Sequence, residues 1–191
     1  MATAILKSEQ KSQIDKLWET FWSNGISNPL TVIEQISYLF FIKELDDKQI
    51  LAEKKSLRTG KPIENPIFDE TTEQQNMRWS KFKDFAPDTM FKIVQENVFP
   101  FIKNMGGEKF AKYMKDAVFM IPSPALLATA VDMISKLEMQ DLDTKGDLYE
   151  YLLSKIAQAG VNGQFRTPRH IGKMMVELAD IQPNDIVCDP S

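Results

Sequence analysis

The residues whose types and spacing suit chemistry lie at positions 160–191, GVNGQFRTPRHIGKMMVELADIQPNDIVCDPS. Gly160, Asn162 and Gly163 mark a loop. Thr167 and Pro168 then make a helix start, a hydroxyl at the cap and a proline at the first helical position, where its missing N–H costs nothing. A helix N-terminus leaves backbone N–H groups without intrahelical acceptors. Beside a glycine loop they offer a site for a carboxylate or a phosphate. A second polar group, Asp189, directly follows residues 185–188, where Ile186, Val187 and Cys188 read as a short, fully buried strand of a parallel sheet. Open α/β sheets bind ligands at the C-terminal ends of their strands. The helix tip and Asp189 could therefore face one pocket, while a plain cap, loop and strand end is the commoner meaning of such a pattern and stays open on the residues alone. His170 and Cys188 are not expected to form a nucleophile pair, because a helix N-terminus disfavours a charged imidazole and the cysteine reads as buried.

These groups need elements to hold them. Ile171, Met174, Met175, Leu178 and Ala179 recur at i, i+3, i+4, i+7 and i+8, one apolar stripe on the helix after Pro168, and Pro183-Asn184 ends it. Upstream the chain reads as a run of helices. Residues 8–22 carry Ile14, Leu17, Trp18, Phe21 and Trp22 on one face, and a helical aromatic stripe of this kind reads as core rather than as an interface anchor. Asn28-Pro29 opens a second helix reaching about residue 56. It is apolar nearly all round through Leu45, so it is expected to be central, with its charged end, 46–55, projecting into solvent. Residues 58–75 read as a long irregular segment, flexible or in contact with a partner. Within it, Asn65-Pro66-Ile67-Phe68 imitates an amino-methyltransferase tetrad, but its third residue is wrong and no apolar strand precedes it, so an extended loop forced by proline is expected. Met77, Arg78, Trp79, Lys81 and Phe82 mix basic and aromatic residues, a combination that suits nucleic acid. Packing of the rings, with the basic chains snorkelling, is the stronger reading. Helices are further expected over 87–105, over about 108–120, after the Ser123-Pro124 cap, and over 146–155, with a polar break at 141–144.

Two segments carry a resemblance. Gly163-Gln164-Phe165-Arg166-Thr167-Pro168-Arg169, followed by Asp185-Ile186-Val187-Cys188-Asp189-Pro190-Ser191, resembles the start of the catalytic domain in the modification (DNA adenine methyltransferase) subunit of type I restriction–modification systems. Gly146 to Leu153 resembles the helix which that family places just before the first segment, and the helices upstream resemble its amino-terminal helical domain. Arg166 stands where the family often carries an aromatic. The resemblance implies a mainly α chain. A helical bundle over 1–142 would be followed, over 143–191, by the truncated start of an α/β Rossmann-like methyltransferase domain, whose second segment continues into a glycine-rich turn beyond Ser191. It implies S-adenosyl-L-methionine as cofactor, bound by Gln164, Phe165, Arg166, Thr167, Pro168, Arg169 and Asp189. It implies N6-methylation of a flipped adenine in DNA, and a hetero-oligomer with a specificity subunit and a restriction subunit. The family's Asn/Asp-Pro-Pro-aromatic catalytic tetrad is absent from these 191 residues, so this stretch by itself is expected to be inactive, with no catalytic residue of its own. A different class of function stays open: a non-catalytic helical interaction module that docks the specificity subunit or DNA.

Composition bounds these readings. A chain of 191 residues, 43% apolar and 26% charged, suits one or two domains with an ordinary core. One cysteine and one histidine exclude a disulfide framework and a Cys/His zinc site, and point to a reducing cytoplasm. No metal site is expected. No signal-peptide h-region opens the sequence, and the longest uncharged stretch, 117–131, contains Pro122 and Pro124 and is too short to span a bilayer. A net charge of −4 argues against gripping DNA by bulk charge, so any basic surface must be local or lie on a partner.

Overall fold

The computed structural model describes residues 7–105, 114–137, 142–158, 169–182 and 184–188, with all of their side chains except those of 142–145, 156–158, 169 and 170. The fold is mainly α, and among the described residues there is no strand.

Helix α1 (Ser8–Ser23) buries Ile14, Leu17 and Phe21, and Asn24 and a left-handed Gly25 then turn the chain. Trp18 packs partly buried against the core, but Trp22, stacked on it at 6.4 Å, is 45% exposed rather than buried. The stripe drifts off the core here because 3.6 residues per turn carries the eighth position past the contact face.

Helix α2 (Pro29–Thr59) starts as its residues dictate, with the Asn28 side chain accepting from the Leu30 N–H and Pro29 in the first turn. It is the central element: α1, α4 (Trp79–Phe82), α7 (Pro124–Ser135) and α8 (Leu142–Gln158) all pack on it. Its charged half departs from expectation, since Asp46 and Gln49 are buried, Asp46 against the start of α4 and Gln49 against the loop that follows. Gly60, left-handed at φ 69°, closes the helix by donating its N–H to Ser56 O.

The irregular segment after α2 is pinned rather than loose. The Ile67 N–H donates to Gln49 Oε1 at 2.9 Å, and Phe68 is buried with its ring stacked 5.4 Å from Phe101. The Asn65-Pro66-Ile67-Phe68 look-alike is thus a loop whose aromatic residue fills the core, and Asn65 is exposed. A short helix, α3 (Thr72–Asn76), is capped by Thr71, and α4 follows it.

Helix α5 (Pro87–Ile93) runs through a π turn (Val94–Val98) into α6 (Phe99–Asn104). The wide turn has a local cause. Pro100 lacks an N–H and its ring would strike the carbonyl four residues earlier, so the backbone opens and the Phe99 N–H bonds to Val94 O. The helix expected over 108–120 does not extend to residue 120. From Ala117 to Ser123 the chain is non-helical, ahead of Pro122 and Pro124. Gln35 holds this stretch to α2, accepting from Met120 N–H at 2.9 Å and donating to Val118 O at 3.0 Å. Helix α7 is capped by Ser123 as expected, packs on α1 and α5, and buries Leu126, Leu127, Ala130, Val131 and Ile134.

Helix α8 starts at Leu142, inside the stretch read as a polar break, and it shares the core of the helices before it through the buried Leu148 and Leu152. Helix α9 (Arg169–Ala179) follows.

Candidate functional site

Of the expected cofactor-binding residues, Gln164, Phe165, Arg166, Thr167, Pro168 and Asp189 lie outside the described residues, and Arg169 is described as the first residue of α9. The site can therefore be built from the two described elements on either side of it.

Upstream stands α8, and its placement is specific. The Tyr151 hydroxyl donates to Asp15 on α1, with its oxygen 2.8 and 3.0 Å from the two carboxylate oxygens. Lys155 Nζ lies 2.6 Å from Asp15 Oδ1 and 5.1 Å from the Tyr151 ring centroid, and Lys11 Nζ lies over the same ring at 5.9 Å. Burial pushes the Asp15 carboxyl up, but the hydrogen bonds from Lys155 and Tyr151 outweigh it and hold the carboxyl below its ordinary value. Burial pulls the Lys155 ammonium down, and the bond to Asp15 more than reverses this. Burial and the bond to Asp15 both raise the Tyr151 phenol. On the other side of α8, Tyr149 meets Phe40 of α2 edge-on at 6.5 Å. The helix leading into residues 160–169 is thus fixed to two helices of the bundle, by one ion-pair cluster and by apolar contact.

Downstream, α9 carries the stripe the sequence shows, and the stripe is uncovered: Ile171, Met174, Met175 and Leu178 are exposed. Residues 185–188 form no strand, Ile186 is 98% exposed, and Cys188 is exposed rather than buried. A single apolar segment cannot form a ladder by itself, because strand hydrogen bonds run between segments. A turn precedes it, in which Asp185 Oδ2 accepts from the Gln182 N–H at 2.8 Å and Gln182 O accepts from the Asp185 N–H at 3.0 Å.

The most elaborate polar constellation lies elsewhere and escaped the sequence reading. Arg78, expected to snorkel, is 6% exposed. Its Nε donates to Asp46 Oδ1 at 2.7 Å, and its Nη1 and Nη2 donate to the two Glu53 oxygens at 2.7 and 3.0 Å. Nη1 also reaches Gln75 Oε1 at 3.0 Å, while Asp46 Oδ2 accepts from the Ser80 N–H at 2.7 Å. The Arg78 bond holds the Glu53 carboxyl below its ordinary value. The available signal was the seven-residue spacing of Asp46 and Glu53, two turns apart on one face of α2. Nothing in this cluster resembles an exposed reactive centre. It is a brace between α2 and α4. Among the described residues no group of acidic, histidine or cysteine side chains could hold a metal ion, and no helix is long and apolar enough to cross a membrane.

Comparison with known proteins places this architecture. Residues 10–134 match the HsdM N-terminal domain, and residues 140–191 match the N-6 DNA methylase domain. The type I restriction enzyme EcoEI methylase subunit of Escherichia coli is 22% identical over 172 residues, which cover 87% of this chain and 35% of that protein. A solved chain from work on complex assembly and conformational transition of the type I restriction–modification system shares the fold. Its TM-score is 0.63 at 20% identity, over 91% of this chain and 36% of that one. The chain thus spans about a third of the length of these relatives. With well over half of its residues matched to one domain family and residues 140–191 to a second, the chain belongs to the HsdM N-terminal domain family and continues into the start of an N-6 DNA methylase domain.

Proposed function

We propose that this chain is the N-terminal part of a site-specific DNA adenine-N6 methyltransferase subunit of a type I restriction–modification system. The observation that carries the reading is the order of the two matches in one chain, a helical domain over 10–134 and a methylase domain opening at 140. In this reading residues 1–142 form the helical domain and 143–191 begin the methyltransferase domain. The cofactor is S-adenosyl-L-methionine, which supplies an activated methyl group.

The residues present suit that cofactor. Helix α9 begins at Arg169, so the N–H groups of its first turn have no intrahelical acceptor and follow directly on Thr167 and Pro168. These donors and the Thr167 hydroxyl would hold the carboxylate of the methionine moiety. Phe165 would pack on the cofactor, and Gln164, Arg166, Arg169 and Asp189 would supply polar contacts to it. The target adenine must leave the duplex to be reached, and holding its amine in line with the methyl group lowers the barrier by proximity. The enzyme works in the cytoplasm with a specificity subunit and a restriction subunit.

Isothermal titration of S-adenosylmethionine into the full-length protein tests the site. Phe165→Ala and Thr167→Ala are each expected to weaken binding at least tenfold, a loss of about 1.4 kcal/mol or more; unchanged affinity removes the assignment. Absence of N6-methyladenine after incubation of the assembled full-length enzyme with DNA and cofactor would remove the reaction.

A second reading, a helical module that docks companion subunits, is favoured by exposed Trp22 stacked on Trp18, since tryptophans of this kind anchor interfaces. Trp22→Ala that leaves assembly with both companions intact would discard it.

A further inference from the structure

The last two turns of α2 and the bend after them carry four exposed cations, Lys54, Lys55, Arg58 and Lys61. None forms an ion pair among the described residues. Elsewhere on the helix the pattern is the opposite: Lys43 pairs with Asp47 and Lys48 with Glu44. Of the acidic residues near the cluster, Glu53 on the helix itself is turned to the other side and committed to Arg78, and Glu64 lies beyond the bend. At 100° per residue, Lys54, Lys55 and Arg58 fall within a single arc of about 100° on the face away from Glu53. Lys55 and Lys61 also line an open cleft of about 480 Å³ between the helix end and the loop, together with the hydroxyl-bearing Ser56 and Thr59 and one carboxylate, Glu64, so the cations outnumber the anion two to one there. A protein of net charge −4 thus concentrates unpaired positive charge in one place.

We propose that this end of α2 is a sequence-independent contact for the phosphate backbone of duplex DNA, a surface that deepens the DNA-modifying reading above and rests on it. Charge and length both fit. Residues 54–61 would span about 10 Å at helical rise. One DNA strand presents a phosphate about every 3.4 Å of duplex axis, so a run of this length meets about three of them. The helix C-terminus is itself slightly negative and would welcome one or two cations for its own stability. The face has more than that end requires, and Lys54 lies more than a full turn before it. The brace around Arg78 gives the surface its rigidity, since it ties the outer half of α2 to α4 through Glu53.

The test is a salt titration of DNA affinity with the full-length protein in its assembled form. The parent is compared with a Lys54→Gln/Lys55→Gln/Arg58→Gln variant. A control with equal charge loss, Lys16→Gln/Lys92→Gln/Lys115→Gln, alters exposed lysines elsewhere. For three lost phosphate contacts the slope of log affinity against log salt is expected to become shallower by about 2.7. The control should keep the parental slope, and circular dichroism should report the same helix content in all three. A parental slope in the α2 variant overturns the proposal and leaves the DNA-modifying reading standing. If the variant keeps its DNA affinity but loses assembly with companion subunits, the surface docks protein and the proposal is also overturned. A parent that binds no DNA at any salt removes the reading beneath it.

Discussion

Replacing Arg78 with methionine is expected to be among the most damaging single changes in the bundle, and its size follows from what is left behind. The guanidinium makes four side-chain hydrogen bonds, one to Asp46, two to Glu53 and one to Gln75. Asp46 is 1% exposed, so without Arg78 the bonds described for its carboxylate reduce to the one from the Ser80 N–H. Removing one partner of a buried pair leaves an uncompensated charge, at a cost of about 3–5 kcal/mol. That is a large share of the 5–15 kcal/mol total usual for a domain. Glu53 adds less, because its side chain is 36% exposed and water takes over. The informative variant is the double one, Arg78→Met with Asp46→Leu. It removes both buried charges, and such apolar replacements are often neutral, while the Ser80 N–H loses its acceptor at about 1–3 kcal/mol. The double variant should therefore lie within about 3 kcal/mol of the parent and be more stable than Arg78→Met alone. Urea unfolding followed by far-ultraviolet circular dichroism measures the parent, Arg78→Met, Asp46→Leu and the double variant. If Arg78→Met costs under about 1 kcal/mol, or if the two single effects simply add, the buried-charge argument is wrong.

Further consequences can be checked in the same way. Phe68→Ala should cost about 3–5 kcal/mol and loosen the loop to proteolysis, because the ring is buried against Phe101; a loss below about 1 kcal/mol would show the loop to be only loosely attached. The hydrogen-bonded carboxyls Asp15 and Glu53 have depressed pKa values, so the stability they contribute is present above the ordinary carboxylate range and lost as pH falls through their folded values. The raised Lys155 value acts at the other end, with stability present below the ordinary lysine range and lost as pH climbs through the folded value. Asp15→Asn should flatten both limbs of the pH–stability curve, and an unchanged curve would mean that the Asp15–Lys155 pair adds nothing measurable.

Much of the bundle was legible without coordinates. Local rules placed the starts of α2 and α7, where Asn28-Pro29 and Ser123-Pro124 satisfy orphan N–H groups from within their own first turns. Helical periodicity correctly marked Ile14, Leu17 and Phe21, and Leu126, Leu127 and Ala130, as inward-facing. Other features failed to show for a common reason: they depend on partners distant in sequence. Asp46 looked solvated because its cation stands 32 residues away, and Phe68 looked like loop because the ring it stacks on is Phe101. Residues 117–120 looked like the end of a helix, whereas Gln35, more than 80 residues earlier, supplies hydrogen bonds to Val118 and Met120 that hold them in a non-helical path. For the candidate site the balance is reversed. The residues expected to meet the cofactor came from a family resemblance, and all but Arg169 lie outside the described residues, so the described tertiary structure adds only the anchoring of α8 to Asp15 and the uncovered stripe of α9. Caps and periodicity are encoded within a turn or two of chain, so the sequence alone determines them. Which charge is buried, which loop is pinned and which apolar face stays open are decided by the neighbours that folding brings, and only the tertiary structure could decide those.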